Sequence, residues 1–149
     1  MSDSITRVQA ANIDGRARSP RFIQEQLRCL HDLLVKNFRD IHQAISIDTG
    51  NSSAEVGIEY YLSLASLKAQ YRSINLAEIL DEEYNLAKGK DAPSRRIAVG
   101  IVYIVPSAYS LFYSVITSLS AAIAAGNCVI IEVSPHYYFN HIICASKYN

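Results

Sequence analysis

The sequence of 149 residues lacks net charge and has few cysteines. Its 14 Lys and Arg residues balance 14 Asp and Glu residues, which argues against a protein that grips nucleic acid through a basic surface. Three cysteines, Cys29, Cys128 and Cys144, are an odd number without CxxC spacing, so the sequence indicates neither a disulfide framework nor a zinc site. No apolar leader follows the charged residues Asp3 and Arg7, and we expect a cytoplasmic protein with reduced thiols.

Charge is also missing from one long stretch of the chain. The 35 residues from Ile97 to Ile131 carry no charged side chain, although the whole chain has 28. A freestanding soluble domain rarely leaves such a stretch in water. A membrane span is disfavoured, because Pro106 and the pair Gly126-Asn127 divide the stretch into pieces shorter than the roughly twenty residues that cross a bilayer. We therefore expect another surface to cover residues 97–131.

Residues 19–96 are predicted to be a helical segment that follows a polar lead-in at residues 1–18. The pair Ser19-Pro20 marks a helix start, because Ser can cap free N–H groups and Pro fits the first turn. The first helix is predicted to run without a break to a turn at residues 48–51. Its apolar stripe, spaced by three and four residues, consists of Ile23, Leu27, Leu30, Leu34, Phe38, Ile41 and Ile45.

A second helix is predicted from about Ser53 to Tyr71, and its apolar face is predicted to consist of Val56, Tyr60, Leu64 and Leu67. Ser52 and Glu55 have the spacing of a capping box, in which each side chain bonds to the backbone N–H of the other residue. Residues 72–96 are mixed and charged, with three adjacent acids at positions 81–83. Because adjacent acids do not share one helix face, we interpret them as a solvated surface rather than as a metal site.

The pattern changes in residues 97–149. The run from Ile97 to Val105 is continuous and β-branched, which is typical of a strand buried on both faces in a parallel sheet. Leu111 to Ala125 is predicted as a helix and Cys128 to Val133 as a second buried strand. Strand, helix and strand form one βαβ unit with a right-handed crossover. The predicted fold class is therefore α/β, with two N-terminal amphipathic helices followed by the first βαβ unit of a parallel sheet.

Two blocks in this region resemble a known family. The block GIVYIVPSAYSLF at 100–112 is similar to a strand of the form G-V-V-x-I-I that leads into a W-N-Y/F-P loop. The block AAIAAGNCVIIEVS at 121–134 is similar to a helix end A-A-G-N and a strand that closes with K-P-S-E. Because the spacing from Gly100 to Asn127 matches the family without an insertion or deletion, the chain resembles the N-terminal cofactor region of aldehyde dehydrogenases over roughly residues 17–148. The resemblance implies a Rossmann-like sheet, a nicotinamide cofactor and oxidation of an aldehyde to a carboxylic acid.

The resemblance also assigns positions in the cofactor site. Val105, Pro106, Glu132 and Ser134 fall at cofactor-binding positions of the family. Tyr109 replaces the family's Asn, which helps to hold the oxyanion of the thiohemiacetal, so no catalytic residue is assigned. Glu132 replaces the family's Lys at the adenosine ribose; a carboxylate can accept ribose hydroxyl hydrogen bonds but repels a 2′-phosphate. We therefore expect NAD rather than NADP.

Other motifs of the family do not occur in the 149 residues. The sequence has no Gly-rich cofactor turn after a later strand, no E-L-G-G-K/N segment with a general-base Glu and no G-Q-x-C nucleophile. Its three cysteines are interpreted as small buried hydrophobes. We expect a truncated member with an incomplete domain, which binds NAD or no cofactor and does not catalyse alone. The partial βαβ region at 97–149 would end in residues 136–149, interpreted as the start of a further helix.

Two alternatives remain open for the function of the chain. In the first, it is a non-catalytic module, or pseudoenzyme, that docks through residues 97–131 on a second copy, a full-length relative or another partner. In the second, less favoured alternative, the uncharged stretch makes the chain a membrane-associated fragment. Neither alternative includes nucleic acid as a partner.

Overall fold

The computed structural model of the chain describes residues 2–91, 97–134 and 136–138. The interpretations of Cys144 and of residues 139–149 as part of a helix lie outside this range. The described helices and strands are, in chain order, α1 (Ser2–Asp14), α2 (Pro20–Lys36), α3 (Phe38–Thr49), α4 (Ser53–Arg72), α5 (Leu76–Ala87), β1 (Ile101–Ile104), α6 (Leu111–Ala124) and β2 (Cys128–Ile131).

The N-terminal residues are helical, so the prediction of a loose polar lead-in at residues 1–18 is wrong. Helix α1 contacts both β1 and β2. The side chain of Asn12 approaches Gly100 so closely that a Cβ on that glycine would stand 3.3 Å from it. A single helix of this length is marginal in water, and contact with the strands can stabilise it. The sequence pattern alone does not display such a contact.

The predicted first helix is divided into α2 and α3. The break is at Asn37, whose backbone departs from helical geometry with φ −100° and ψ 24°. Its side-chain amide donates a hydrogen bond to the carbonyl of Leu33 at 2.8 Å, which satisfies a carbonyl at the end of α2. The apolar stripe nevertheless faces the core on both sides of the break, as its buried members show: Ile23, Leu27, Leu34, Ile41 and Ile45.

Helix α4 and its capping box are confirmed. The backbone N–H of Ser52 donates to a carboxylate oxygen of Glu55 at 2.9 Å, and the N–H of Glu55 reaches the Ser52 hydroxyl at 3.5 Å. The hydrogen bonds from the hydroxyl and backbone N–H of Ser52 lower the pKa of Glu55. Along the helix, Val56, Tyr60 and Leu67 are buried, as the predicted face requires.

Residues 72–91, which showed no clear pattern in the sequence, contain the helix α5. Its first turn is capped by Asn75, whose side-chain oxygen accepts the N–H of Ala77 at 3.1 Å. The three acids lie within this helix, and Asp81 and Glu83 are exposed, as predicted for a solvated surface. The described residues contain no group of three or more His, Cys, Asp or Glu side chains that could hold a metal ion.

The two strands form a parallel pair, which confirms the predicted α/β class with one βαβ unit. Ile101 lies opposite Cys128, and Ile104 lies opposite Ile131. Helix α6 connects the strands and contacts both of them. Each strand is shorter than predicted, since β1 begins at Ile101 and β2 ends at Ile131.

The prediction that the first strand is buried on both faces is wrong. Gly100 and Ile104 are buried, whereas Val99, Tyr103 and Val105, at alternating positions, are exposed. No described residue covers the face of the sheet on which these exposed side chains lie. The β-branched composition indicates an apolar strand, but it does not show which face of that strand packs against another element.

The core lies between α6 and the helices on one side of the sheet. Helix α6 packs most extensively against α4, and the rings of Tyr60 and Phe112 stack there with their centroids 5.9 Å apart. The rings of Phe38 and Tyr60 meet edge to face, with their centroids 4.9 Å apart. Among the described residues no helix combines the length and the apolar character needed to cross a bilayer.

Candidate functional site

The parallel pairing gathers four predicted cofactor residues at one edge of the sheet. Val105 and Pro106 directly follow β1, and Glu132 and Ser134 follow β2. Because both strands run in the same direction, these residues leave the sheet at its carboxyl edge. In open α/β sheets, ligands bind in the crevice outside this edge. The cofactor-binding roles of these four residues stay a prediction from the family resemblance.

Glu132 is a charged residue at this edge. Its backbone N–H donates to the carbonyl of Ile104 at 2.9 Å, which extends the ladder between the strands by one residue. Its carboxylate accepts a hydrogen bond from the hydroxyl of Tyr103 on β1. Both side chains are exposed. Tyr103 was not among the predicted site residues, since only the register of the two strands shows that its hydroxyl reaches the end of β2.

Tyr109 lies in the loop between β1 and α6 and is 95% exposed. Two hydrogen bonds shape this loop: the N–H of Ser107 donates to the Ser114 hydroxyl at 2.9 Å, and the N–H of Tyr109 reaches the Ser107 hydroxyl at 3.4 Å. The phenol therefore extends into solvent rather than packing beside the strands. An oxyanion donor has to be held in a fixed direction, and an exposed phenol on a loop is not held in this way.

The pair Gly126-Asn127, which is part of the family resemblance, has a structural role here. The side-chain oxygen of Asn127 accepts the N–H of Gly100 at 2.9 Å, and its amide donates to the carbonyl of Ala122 at 3.3 Å. Asn127 is buried, and it ties the start of β1 to the end of α6. Gly126 has φ 77°, a left-handed conformation that favours glycine after a helix.

A cleft of about 460 Å³ opens at the other end of the strands, near the start of β2. Its lining includes Asp14 and Arg16 beside α1, together with Asn127 and Cys128. This cleft is thus separated from the carboxyl edge by the length of the strands. Cys128 is half-buried there, so its interpretation as a buried hydrophobe is confirmed only in part.

The interpretation of Cys29 as a buried hydrophobe is wrong. Cys29 lies on the outer side of α2 and is exposed, with its thiol 3.6 Å from a carboxylate oxygen of Glu25. The residue is next to Arg28 and off the apolar stripe, so the periodicity of the helix already assigns it to the solvent side.

The groups at the carboxyl edge fit one part of a dinucleotide. The exposed carboxylate of Glu132 can accept hydrogen bonds from ribose hydroxyls, and the hydroxyl of Tyr103 beside it can hold that carboxylate in place. Glu132 and Tyr103 thus form an exposed polar pair at the carboxyl edge.

Comparison with known proteins places the chain in a family. The model of the aldehyde dehydrogenase family matches residues 4–147. Aldehyde dehydrogenase family 3 member B1 of Mus musculus is 31% identical over 137 residues, which cover 89% of this chain and 29% of that protein. Aldehyde dehydrogenase, dimeric NADP-preferring, of Rattus norvegicus is 27% identical over 146 residues, which cover 91% of this chain and 31% of that protein.

The matches extend over most of this chain but only part of each relative. Aldehyde dehydrogenase family 3 member A2 of Macaca fascicularis is 27% identical over 146 residues, which cover 90% of this chain and 28% of that protein. The chain thus spans less than a third of the length of these curated relatives. No solved structure is significantly similar to it. On the match of the family model, the chain belongs to the aldehyde dehydrogenase family.

Proposed function

We propose that this chain forms part of the cofactor-binding region of an enzyme that oxidises an aldehyde to a carboxylic acid with NAD. The observation that carries the proposal is the exposed carboxylate of Glu132 at the carboxyl edge of the parallel pair, beside Tyr103. This edge is where open α/β sheets bind dinucleotides. Bound NAD would supply the hydride acceptor, and the residues of this chain would hold its ribose.

The preference for NAD over NADP follows from the charge of Glu132. A carboxylate accepts both hydroxyls of a ribose diol, whereas a 2′-phosphate brings a further negative charge to the same place. The rat relative is named for a preference for NADP. We propose the opposite preference for this chain, because no Lys or Arg occurs between Arg96 and Lys147 to offset the charge of Glu132.

We also propose that the 149 residues do not turn over an aldehyde by themselves. Hydride transfer from a thiohemiacetal requires a thiolate, an oxyanion hole and a held nicotinamide together. Tyr109 extends into solvent at the position of the family's oxyanion Asn. Cys29 lies on the outer side of α2, and Cys128 lies near the start of β2, away from the carboxyl edge. Neither described thiol is therefore close to the proposed cofactor site.

A reducing compartment suits the exposed thiol of Cys29, and we propose the cytoplasm.

An interaction module without catalytic activity is the second candidate function. The observation that favours it is the uncovered apolar face of β1, which has the character of a docking surface. The two candidates differ in one measurable respect, since only the first requires a nicotinamide cofactor to bind.

Isothermal titration of the 149-residue chain with NAD and with NADP tests the first proposal. We expect NAD to bind more tightly than NADP, and we expect Glu132→Lys to reverse that order. Glu83→Lys, which makes the same charge change at an exposed position of α5, is the control and should leave the order unchanged. Absence of NAD binding, or an unchanged order in Glu132→Lys, would contradict the proposal and favour the interaction module.

Incubation of the same chain with NAD and a series of aldehydes tests the second proposal. We expect no formation of NADH above the rate without protein. Steady production of NADH, proportional to the concentration of the chain, would show that the 149 residues catalyse alone. Loss of that activity in Cys128→Ser or in Cys29→Ser would then identify the thiol involved.

A further inference from the structure

The side chains of Tyr103 and Glu132 meet because of the register of the two strands. Tyr103 lies opposite Ile130 in the parallel ladder. Side chains along an extended chain alternate between its two faces, so Glu132, two residues after Ile130, lies on the same face as Tyr103. The hydroxyl of Tyr103 crosses the diagonal between them and donates to Oε2 of Glu132. The contact therefore joins the ends of the two strands at the carboxyl edge.

The backbone of Glu132 is fixed by the sheet, but its side chain is not. The N–H of Glu132 donates to the carbonyl of Ile104 at 2.9 Å. Beyond the backbone, the side chain is exposed and flexible, so packing does not set the direction of the carboxylate. Among the described residues, neither an ion pair nor a second hydrogen bond accompanies the bond from Tyr103. The orientation of the carboxylate therefore depends on Tyr103.

Tyr103 is well suited to hold a neighbouring group. A tyrosine side chain is rigid and loses little conformational entropy when it makes a contact. The ring of Tyr103 starts from the paired strand β1, and it is 58% exposed, so its hydroxyl remains at the surface. Because a carboxylate accepts at both of its oxygens, the bond to Oε2 leaves Oε1 available to a ligand.

The phenol of Tyr103 orients the carboxylate without neutralising it. A Lys or Arg in the same place would also hold Glu132, but it would cancel the negative charge. With a neutral donor, the carboxylate keeps both its direction and its charge. A hydroxyl donor on a ligand is then attracted to it, and a phosphate is repelled.

We propose that Tyr103 is a positioning residue, whose hydroxyl holds the Glu132 carboxylate in the orientation that accepts a ribose diol. This inference rests on the function proposed above. A side chain that is ordered before the ligand arrives loses less freedom on binding, which increases affinity. A carboxylate that is held also cannot turn away from a 2′-phosphate. Tyr103 thus contributes both to the affinity for NAD and to the preference for NAD over NADP.

Isothermal titration of Tyr103→Phe with NAD and with NADP, in the full 149-residue chain, tests the proposal. We expect the dissociation constant for NAD to rise roughly two- to tenfold, the range expected when one flexible side chain has to be ordered on binding. The constant for NADP should rise less or fall, because the released carboxylate can turn away from the phosphate. Tyr61→Phe, which removes a hydroxyl from a 69% exposed side chain on α4, is the matched control and should change neither constant.

The ratio of the two dissociation constants separates positioning from a general effect on the fold. A merely structural role of Tyr103 would weaken both coenzymes by the same factor and leave the ratio unchanged. Circular dichroism should show the same helix content in Tyr103→Phe and in wild type, since the side chain is exposed. An unchanged ratio, or the same change of ratio in Tyr61→Phe, would overturn this inference while the proposed function stands.

A measurement without coenzyme tests the positioning step by itself. Three-bond NMR couplings of the Glu132 side chain should indicate one dominant rotamer in wild type and an average over several rotamers in Tyr103→Phe. Averaged couplings already in wild type would overturn the inference. A wild-type chain that does not bind NAD, although Glu132 has one dominant rotamer, would contradict the proposed function and remove the role of Tyr103 with it.

Discussion

The carboxylate of Glu59 on α4 accepts a hydrogen bond from the backbone N–H of Tyr113 in the first turn of α6, at 3.1 Å. Tyr113 is the third residue of α6, and its N–H is one that a side chain at the N-cap usually satisfies. Within the described part of the chain, Ser110 is at the N-cap of α6 and its side chain makes no such bond. The side chain of Glu59 therefore caps α6 from a neighbouring helix. The same hydrogen bond links α4 to α6, the two helices that pack most extensively against each other.

Replacement of Glu59 should destabilise the chain through α6. We expect Glu59→Ala to lower the free energy of unfolding by about 1 kcal/mol, the usual contribution of a helix cap. Glu59→Gln keeps an oxygen acceptor, so it should lower the free energy of unfolding by less than Glu59→Ala does. Urea denaturation followed by circular dichroism measures both, with Glu83→Ala on the exposed side of α5 as the control. Equal stability of Glu59→Ala and Glu83→Ala would show that this bond does not stabilise α6.

The capping box of α4 should contribute in a similar way. We expect Ser52→Ala to lower the free energy of unfolding by about 1 kcal/mol, since it removes the hydroxyl that the N–H of Glu55 reaches. Ser53→Ala, one residue further along, is a suitable control, because Ser53 is exposed at the first position of the helix. Thermal or urea denaturation at neutral pH measures the difference between the two variants.

The same capping box predicts a dependence on acid. The bonds from Ser52 lower the pKa of Glu55 below its ordinary value of 4.5, so the folded chain binds a proton there less readily than the unfolded chain. The stabilisation is therefore fully present above pH 4.5 and is lost as the pH falls through the lowered value. Denaturation midpoints between neutral pH and pH 3 should fall less in Ser52→Ala than in wild type. Parallel curves for the two proteins would contradict the assignment.

Tyr60 holds the end of α2 against α4. Its hydroxyl donates to the carbonyl of Leu34 at 3.1 Å, close to the break at Asn37 where α2 ends. We expect Tyr60→Phe to lower the free energy of unfolding by about 1–2 kcal/mol, because the variant leaves a buried carbonyl without this donor. Tyr61→Phe removes the same atom from a side chain that is 69% exposed, and it should change stability little.

Burial also raises the pKa of Tyr60 above its ordinary value of 10.0. The unfolded chain therefore loses this proton at a lower pH than the folded chain does. The stabilisation is fully present below pH 10 and is lost as the pH rises through the higher pKa of the folded state. Tyr60→Phe should remove that component of alkaline destabilisation, whereas Tyr61→Phe should keep it. A comparison of urea midpoints between pH 8 and pH 11 measures the effect.

Features that depend on neighbouring residues in the sequence were predictable. The capping box of Ser52 and Glu55 and the apolar face of α4 are local patterns, and the structure confirms both. The gathering of Val105 and Glu132 at one edge also followed, because parallel strands joined by a helix must end on the same side. Each of these features follows from a single rule: the spacing of a capping box, the period of a helix or the direction of parallel strands.

Features that depend on distant contacts were not predictable in this way. Helix α1 is polar in composition but contacts both strands, and the break at Asn37 interrupts a stripe whose period continues across it. The exposed face of β1 has the same composition as a buried one, so only the position of the other elements distinguishes them. The hydrogen bond between Tyr103 and Glu132 likewise depends on the reach of one side chain across the register.

Gly126 has the same backbone conformation as Gly50 but different surroundings. Gly50 follows α3 with φ 71° and has nothing within 4 Å of the place where a Cβ would stand. Gly126 follows α6 with φ 77°, and a Cβ there would lie 3.3 Å from the carbonyl oxygen of Ala17 and 3.5 Å from the Cβ of Ala98. The two glycines thus share the cost of a left-handed conformation, about 1 kcal/mol for an alanine, and differ in the space available.

We therefore expect Gly50→Ala to lower the free energy of unfolding by about 1 kcal/mol and Gly126→Ala to lower it by more, because the carbonyl of Ala17 is backbone and cannot move aside freely. The additional destabilisation by Gly126→Ala should be accompanied by faster amide hydrogen exchange at Gly100, because the N–H of Gly100 donates to the side chain of Asn127, which follows Gly126. Urea denaturation and hydrogen exchange measure these two effects separately. Equal destabilisation by the two substitutions would mean that the segment at residues 16–18 does not pack closely against Gly126 in solution.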